Sequence, residues 1–312
     1  MRMHRLIAVV LIAVVAFGCR ITPTHARSPY SALYAFGDSL SDVGNDFAAS
    51  GGTEPAPPYY QGRFSNGPVW LDYLAQQLHT GPMIPSVVGG KDYAFGGATT
   101  GYAQTLSSPP VPTFQQQVAQ FNATHSVAPS SALYAVWIGG EDLLHVLQSG
   151  APLSQAIALM QGAAATESTV IATLLGQGAR NILVGLLPDA GKSPTIIALG
   201  PTVSAAASAL AAVYNIALVA HLSGVIASSG AKVSYLDAFS LVDIVVADPG
   251  AFGLSNVTAP CYLGPFTGGG TVCATPNQYL FWDEFNHPTT AGHAIVADVA
   301  ADVLHLGTAV TP

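Results

Sequence analysis

Basic side chains are scarce in this chain: 9 Lys and Arg stand against 17 Asp and Glu in 312 residues, and charged residues make up only 8% of it. Binding to nucleic acid requires clustered cations that displace the counterions of phosphate, so that partner class is excluded. No block of like charge and no internal repeat occurs, which removes charged tails and solenoids from consideration. His79, His125, His145, His221 and His293 are scattered, without the His-Glu-x-x-His type of spacing that metal sites need. Neither a metal nor an organic cofactor is implied. The sequence says nothing of oligomeric state.

A long apolar run is missing from the amino terminus. The amino terminus offers only Leu6 to Gly18, about 13 residues and short of a membrane span. Basic Met1 to Arg5 precede it and the small-residue pattern Thr24-His25-Ala26 follows, so residues 1–26 read as a secretory signal cleaved after Ala26. Cys19 offers a lipid-anchor variant, which the flanking Ala16 and Phe17 fit poorly. After cleavage no stable membrane span is expected, and the product is secreted or periplasmic. Of 3 cysteines, Cys261 and Cys273 then remain, an even pair in an exported chain, predicted to be bridged.

What is abundant is hydrophobic surface, 50% of the residues. Residues 27–312 are expected to form one large domain with a full core. Apolar, β-prone segments recur at Ala32 to Phe36, Lys91 to Phe95, Ala132 to Ile138, Asn181 to Leu187 and Lys232 to Leu236. Helical spacing or composition separates or follows them at Val69 to Leu78, Thr113 to Ala123, Leu153 to Leu175, Val203 to Ile226 and Thr289 to Leu304. Repeated strand and helix indicate an α/β class with a parallel sheet and helices on both faces. Ala48 to Gln61, and Pro249 to Pro276 with both late cysteines, read as loops, the second of them stapled.

Polar chemistry gathers where strands stop. Phe36-Gly37-Asp38-Ser39 ends the first, Gly139-Gly140-Glu141-Asp142 ends Ala132 to Ile138, and Gly96-Gly97-Ala98-Thr99 likewise follows the short apolar segment Lys91 to Phe95. Ligands in open α/β sheets bind outside such carboxyl ends, which makes Ser39 a candidate nucleophile. Ester hydrolysis by serine also needs a base, a carboxylate to orient it and donors for the oxyanion. His287 supplies the first, Asp283 or Glu284 the second, and the backbone N–H groups of Ser39 and Gly97 the third.

Four separated segments carry a resemblance. Phe36 to Asn45, Tyr93 to Ala98, Trp137 to Asp142, and Phe281-Trp282-Asp283 with His287-Pro288 together resemble the blocks of the GDSL, or SGNH, family of serine esterases and lipases, in family order. The resemblance implies a three-layer α/β/α sandwich with a flavodoxin-like sheet. It implies Ser39 as nucleophile, His287 as base, and an oxyanion hole from Ser39 and Gly97. It further implies a small ester, lipid or acylated-carbohydrate substrate, by hydrolysis or by acyl transfer to an alcohol. Two departures stand out. Glu141 occupies the position of the family's oxyanion-hole asparagine, where an ionised carboxylate cannot donate; a weakened enzyme or a binding protein on the same fold is the corresponding alternative. The family's spacing puts the acid at Glu284, whereas the Phe-Trp-Asp anchor puts it at Asp283, which the reading favours. Asp38, Asn45 and Asp189 are expected to brace turns, Trp70 and Trp137 to sit in the core, and Tyr59 or Tyr60 to reach substrate.

Overall fold

The computed structural model describes residues 28–101 and 110–306; the signal segment 1–26, with Cys19, lies outside them. Its centre is a sheet of β1 (Leu33–Gly37), β2 (Leu133–Trp137), β3 (Asn181–Gly185) and β4 (Lys232–Leu236), all parallel and in that spatial order. Every position of β1 and β2 is buried, which is why these stretches are continuously apolar rather than alternating. Alternation survives in destination. Tyr34, Phe36, Tyr134 and Val136 join one core cluster, while Leu33, Ala35, Leu133 and Ala135 join the other, because successive Cβ atoms leave a strand on opposite sides.

Lys91 to Phe95 runs along the free edge of β1. The Ala35 N–H donates to the Lys91 carbonyl at 3.0 Å, and the Tyr93 N–H to the Ala35 carbonyl at 2.8 Å. The edge segment, β1, β2, β3 and β4 therefore lie in the flavodoxin-like order, whose reversal point falls between β1 and β2. The site follows from that placement.

The helices are α1 (Asn45–Ala49), α2 (Trp70–Gln77), α3 (Phe114–Thr124), α4 (Gly140–Gln148), α5 (Leu153–Gly176), α6 (Pro194–Ala198), α7 (Pro201–Ser229), α8 (Ala238–Ala247) and α9 (Thr290–Leu306). One face of the sheet is covered by α3, α5 and α7, the other by α2, α8 and α9. Thr113 starts α3 with a reciprocal cap: its Oγ1 accepts from the Gln116 N–H at 3.3 Å while Gln116 Oε1 accepts from the Thr113 N–H at 2.9 Å. In α7 the buried residues Ala207, Leu210, Ala211, Tyr214, Leu218 and Leu222 recur at three and four, one stripe facing the core. By length and composition alone α7 could cross a membrane; here its stripe packs in the cluster shared with α5 and the sheet.

The stretch read as a stapled loop contains more structure than its glycines suggest. It holds β5 (Asn256–Pro260), β6 (Tyr262–Leu263) and β7 (Thr271–Val272), and β5 pairs in parallel with β8 (Tyr279–Phe281) while β6 and β7 form an antiparallel pair. Cys261 and Cys273 are bridged, with Cα atoms 4.9 Å apart. Strands of two to five residues whose partners lie elsewhere leave no period for the sequence to display.

Candidate active site

Gly37 ends β1 where no side chain fits: a Cβ there would lie 2.2 Å from the Trp137 carbonyl oxygen. Gln117 of α3 clamps the same peptide, accepting from the Gly37 N–H at 2.9 Å and donating to its carbonyl at 2.8 Å. The chain then turns, the Leu40 N–H donating to Asp38 Oδ1 at 3.0 Å, and Ser39 is left at the carboxyl edge of the sheet, 7% exposed.

His287 meets it from the far end of the chain. Its Nε2 lies 2.8 Å from Ser39 Oγ, and its Nδ1 lies 2.6 Å from Asp283 Oδ2. Asp283 is fully buried. Its Oδ1 accepts from the N–H groups of Phe285 and His287 at 2.9 and 3.2 Å, and its Oδ2 accepts from the Tyr59 hydroxyl at 2.7 Å. Glu284 is exposed, and its backbone carbonyl accepts from the Thr195 hydroxyl. Asp283 is thus the carboxylate beside the imidazole. Between it and His287, Asn286 takes a left-handed conformation with φ 72° that asparagine tolerates better than most residues.

Hydrogen bonds of this kind require Nδ1–H toward Asp283 and a free Nε2 lone pair toward the serine hydroxyl. Burial pulls the pKa of His287 down, but the Asp283 carboxylate, helped by Glu141 and Asp38, outweighs it and leaves the imidazole above its ordinary value. Phe64 and Phe266 pack beside the ring, with centroids 5.1 and 6.0 Å away.

Gly97 has φ 77° and nothing within 3.8 Å of where a Cβ would stand, and it lines one cleft with Ser39, Glu141 and His287. Buried carboxylates hold its loop. Asp42 Oδ2 accepts from the Gly96 N–H at 3.2 Å, and Asp142 accepts from the Thr100 N–H and hydroxyl at 3.0 and 2.7 Å. Asp42 also accepts from the N–H groups of Gly44 and Asn45, and Asn45 Nδ2 donates to the carbonyls of Asp92 and Ala94. These residues are scaffold: they fix the first turn against the edge segment. Asp38 is bracing too, but burial, with Glu141 adding to it, raises its carboxyl to about 7.

Glu141 stands in the first turn of α4. It borders both chambers that open on Ser39 and His287, a small one of about 110 Å³ and a cleft of about 980 Å³. Asp189 caps the turn after β3, accepting from the Gly191 N–H at 3.0 Å, and also borders the small chamber. Trp70 and Trp137 are core residues, 1% and 3% exposed. Tyr59, expected at the substrate, is 3% exposed and bonds Asp283 instead. No local pattern marks that role, because its partner is 224 residues away. Asp142 carried a faint signal in its place directly after Glu141.

Fold and site together define a class: a carboxylic ester hydrolase built on a parallel α/β sandwich, with Ser39 at the carboxyl edge of the sheet beside His287. The chain belongs to the GDSL-like lipase/acylhydrolase family, whose sequence model matches residues 33–300. It is 29% identical to the phosphatidylcholine-sterol acyltransferase of Aeromonas hydrophila over 88% of this chain and 79% of that one. It is 28% identical to the inactive GDSL esterase/lipase-like protein 25 of Arabidopsis thaliana, over 83% of this chain and 68% of that protein. Esterase EstA of Pseudomonas aeruginosa shares 29% identity over 90% of this chain, which spans 48% of that protein's length.

Proposed function

We propose that this chain is an exported serine esterase that works through an acyl-enzyme. Ser39 Oγ attacks the ester carbonyl while His287 Nε2 takes its proton, Asp283 steadies the imidazolium, and the N–H groups of Ser39 and Gly97 receive the oxyanion. His287 then returns the proton to the departing alcohol, and water attacks the acyl-serine with the same base. The observation that carries this reading is the unbroken line from Ser39 Oγ through His287 to buried Asp283. Export is supported by the bridged Cys261 and Cys273 and by the leader pattern at residues 1–26.

The test is labelling with a small fluorophosphonate, read by intact mass, together with turnover of p-nitrophenyl acetate. Modification of Ser39, and loss of about 10⁴-fold or more in turnover for Ser39→Ala, are expected. A chain that binds ester but takes up no label is instead a binding protein, the reading that Glu141 and the inactive relative favour. Acyl transfer is the second catalytic reading, supported by the likeness to an acyltransferase. Adding an alcohol acceptor and resolving new ester from free acid separates the two. Sequencing the amino terminus of the exported protein tests cleavage after Ala26.

A further inference from the structure

The two chambers beside Ser39 differ in size and in how many polar side chains they carry. The smaller is walled by Leu143, Leu187, Ile196, Val242, Phe281 and Phe285, four of which are at most 6% exposed. Several polar groups on its wall are already engaged, while Asn286 Oδ1 is unpartnered and lies on the side shared with the larger cleft. Asp189 accepts from the Gly191 N–H and the Ser208 hydroxyl, Ser193 donates to the Ala190 carbonyl at 2.8 Å, and Trp137 Nε1 donates to the Leu186 carbonyl at 3.2 Å. A polar guest would find few partners there, and a hydrocarbon loses nothing by entering. The larger cleft is mixed: Phe64, Phe95, Phe266 and Phe285 line it beside Asp46, Ser50, Glu54, Gln148, Thr195 and Glu284, so a hydroxylated alcohol, an acceptor or water finds polar partners there.

We infer that the small chamber is the acyl-chain site, and that it makes the enzyme selective for esters of short-chain acids whose alcohol part lies in the larger cleft. This rests on the esterase reading above. In a two-step reaction the acyl group stays on Ser39 while the alcohol leaves and water arrives. That division needs one site that retains hydrocarbon and another through which polar molecules exchange. Both chambers reach Ser39 and His287, so an ester carbonyl at the serine can send one arm into each. Size sets the limit on chain length. A cavity of about 150 Å³ takes the six carbons of benzene, so about 110 Å³ takes about four carbons beyond the carbonyl. Butanoyl to hexanoyl chains fill that space.

The experiment compares kcat/KM for p-nitrophenyl esters of acetic, butanoic, hexanoic, octanoic and dodecanoic acids with one preparation. Each methylene that enters should raise kcat/KM about fourfold, with a maximum at butanoyl or hexanoyl and a steep fall by dodecanoyl. Ile196→Ala empties the space of three carbons and should raise the octanoyl to butanoyl ratio at least tenfold. Val242→Phe, which fills the chamber from α8, should lower the hexanoyl to acetyl ratio by a similar factor. Ratios within one preparation cancel any loss of folded enzyme. A flat or dodecanoyl-centred profile, or ratios unmoved in both variants, overturns the assignment while fluorophosphonate still labels Ser39. Absence of that labelling marks failure of the esterase reading itself.

Discussion

The Tyr59 hydroxyl donates at 2.7 Å to Asp283 Oδ2, the oxygen that also lies 2.6 Å from His287 Nδ1. One buried carboxylate oxygen therefore answers two donors from opposite ends of the chain. Burial and the neighbouring Asp283 charge hold the Tyr59 phenol well above its usual value, so it remains a donor. Tyr59 in turn packs edge-on against Tyr262 and Trp282, with centroids 5.4 and 6.1 Å away, in the cluster that includes disulfide-bonded Cys261. The stapled hairpin thus supports the carboxylate beside the imidazole.

Removing that phenol has two consequences. Tyr59→Phe deletes a hydrogen bond to a buried charge and should cost about 2 kcal/mol of stability in urea unfolding. The charge of Asp283, no longer shared, acts more fully on His287, so the acid limb of the kcat/KM profile should move to higher pH. A stable variant with an unmoved limb contradicts the arrangement.

Asp283 and Glu284 separate cleanly by substitution. Asp283→Asn should lower kcat/KM on p-nitrophenyl acetate about 10⁴-fold, because the amide favours the wrong tautomer of His287. Glu284→Ala removes an exposed side chain and should change the same constant only a few-fold.

Under the proposed mechanism Glu141 stands in for the family's oxyanion-hole asparagine, and its charge also raises the His287 pKa. Glu141→Asn should therefore raise turnover of a simple ester, by about tenfold or more given what one such donor is worth. It should also shift the acid limb to lower pH. A fall in turnover would show that Glu141 has been recruited for another purpose.

Stability should decline as pH rises through the neutral range. Burial lifts Asp38 to about 7 and Asp46 to about 8, against an ordinary carboxyl value of 3.8. Between those values the folded chain holds protons that the unfolded chain has released, so raising the pH costs stability. His287, also raised on folding, has the same sign: what it contributes is lost as pH climbs through its folded value. The thermal midpoint should be higher at about pH 5 than at about pH 8. Asp38→Asn, neutral throughout, should narrow that gap.

Much of this molecule could be read from the residues alone. Strand positions were legible because a strand buried on both faces must be apolar at every place, and the glycine-rich stops after β1, the edge segment and β2 announced where polar chemistry would lie. Ser39, Gly97 and His287 stood out at those ends or before the last helix. Less legible were the short strands β5 to β8, the choice of Asp283 over Glu284, the bond from Tyr59 and the division of the site into two chambers. Local periodicity records which side of an element is buried; it carries no information about which distant loop will dock on it. The sequence by itself determined the main strands, the parallel α/β class and the residue types gathered at the strand ends. Only the tertiary structure decided that His287 meets Ser39 and that Tyr59 meets Asp283, because contacts spanning 224 and 248 residues depend on how separate loops pack together.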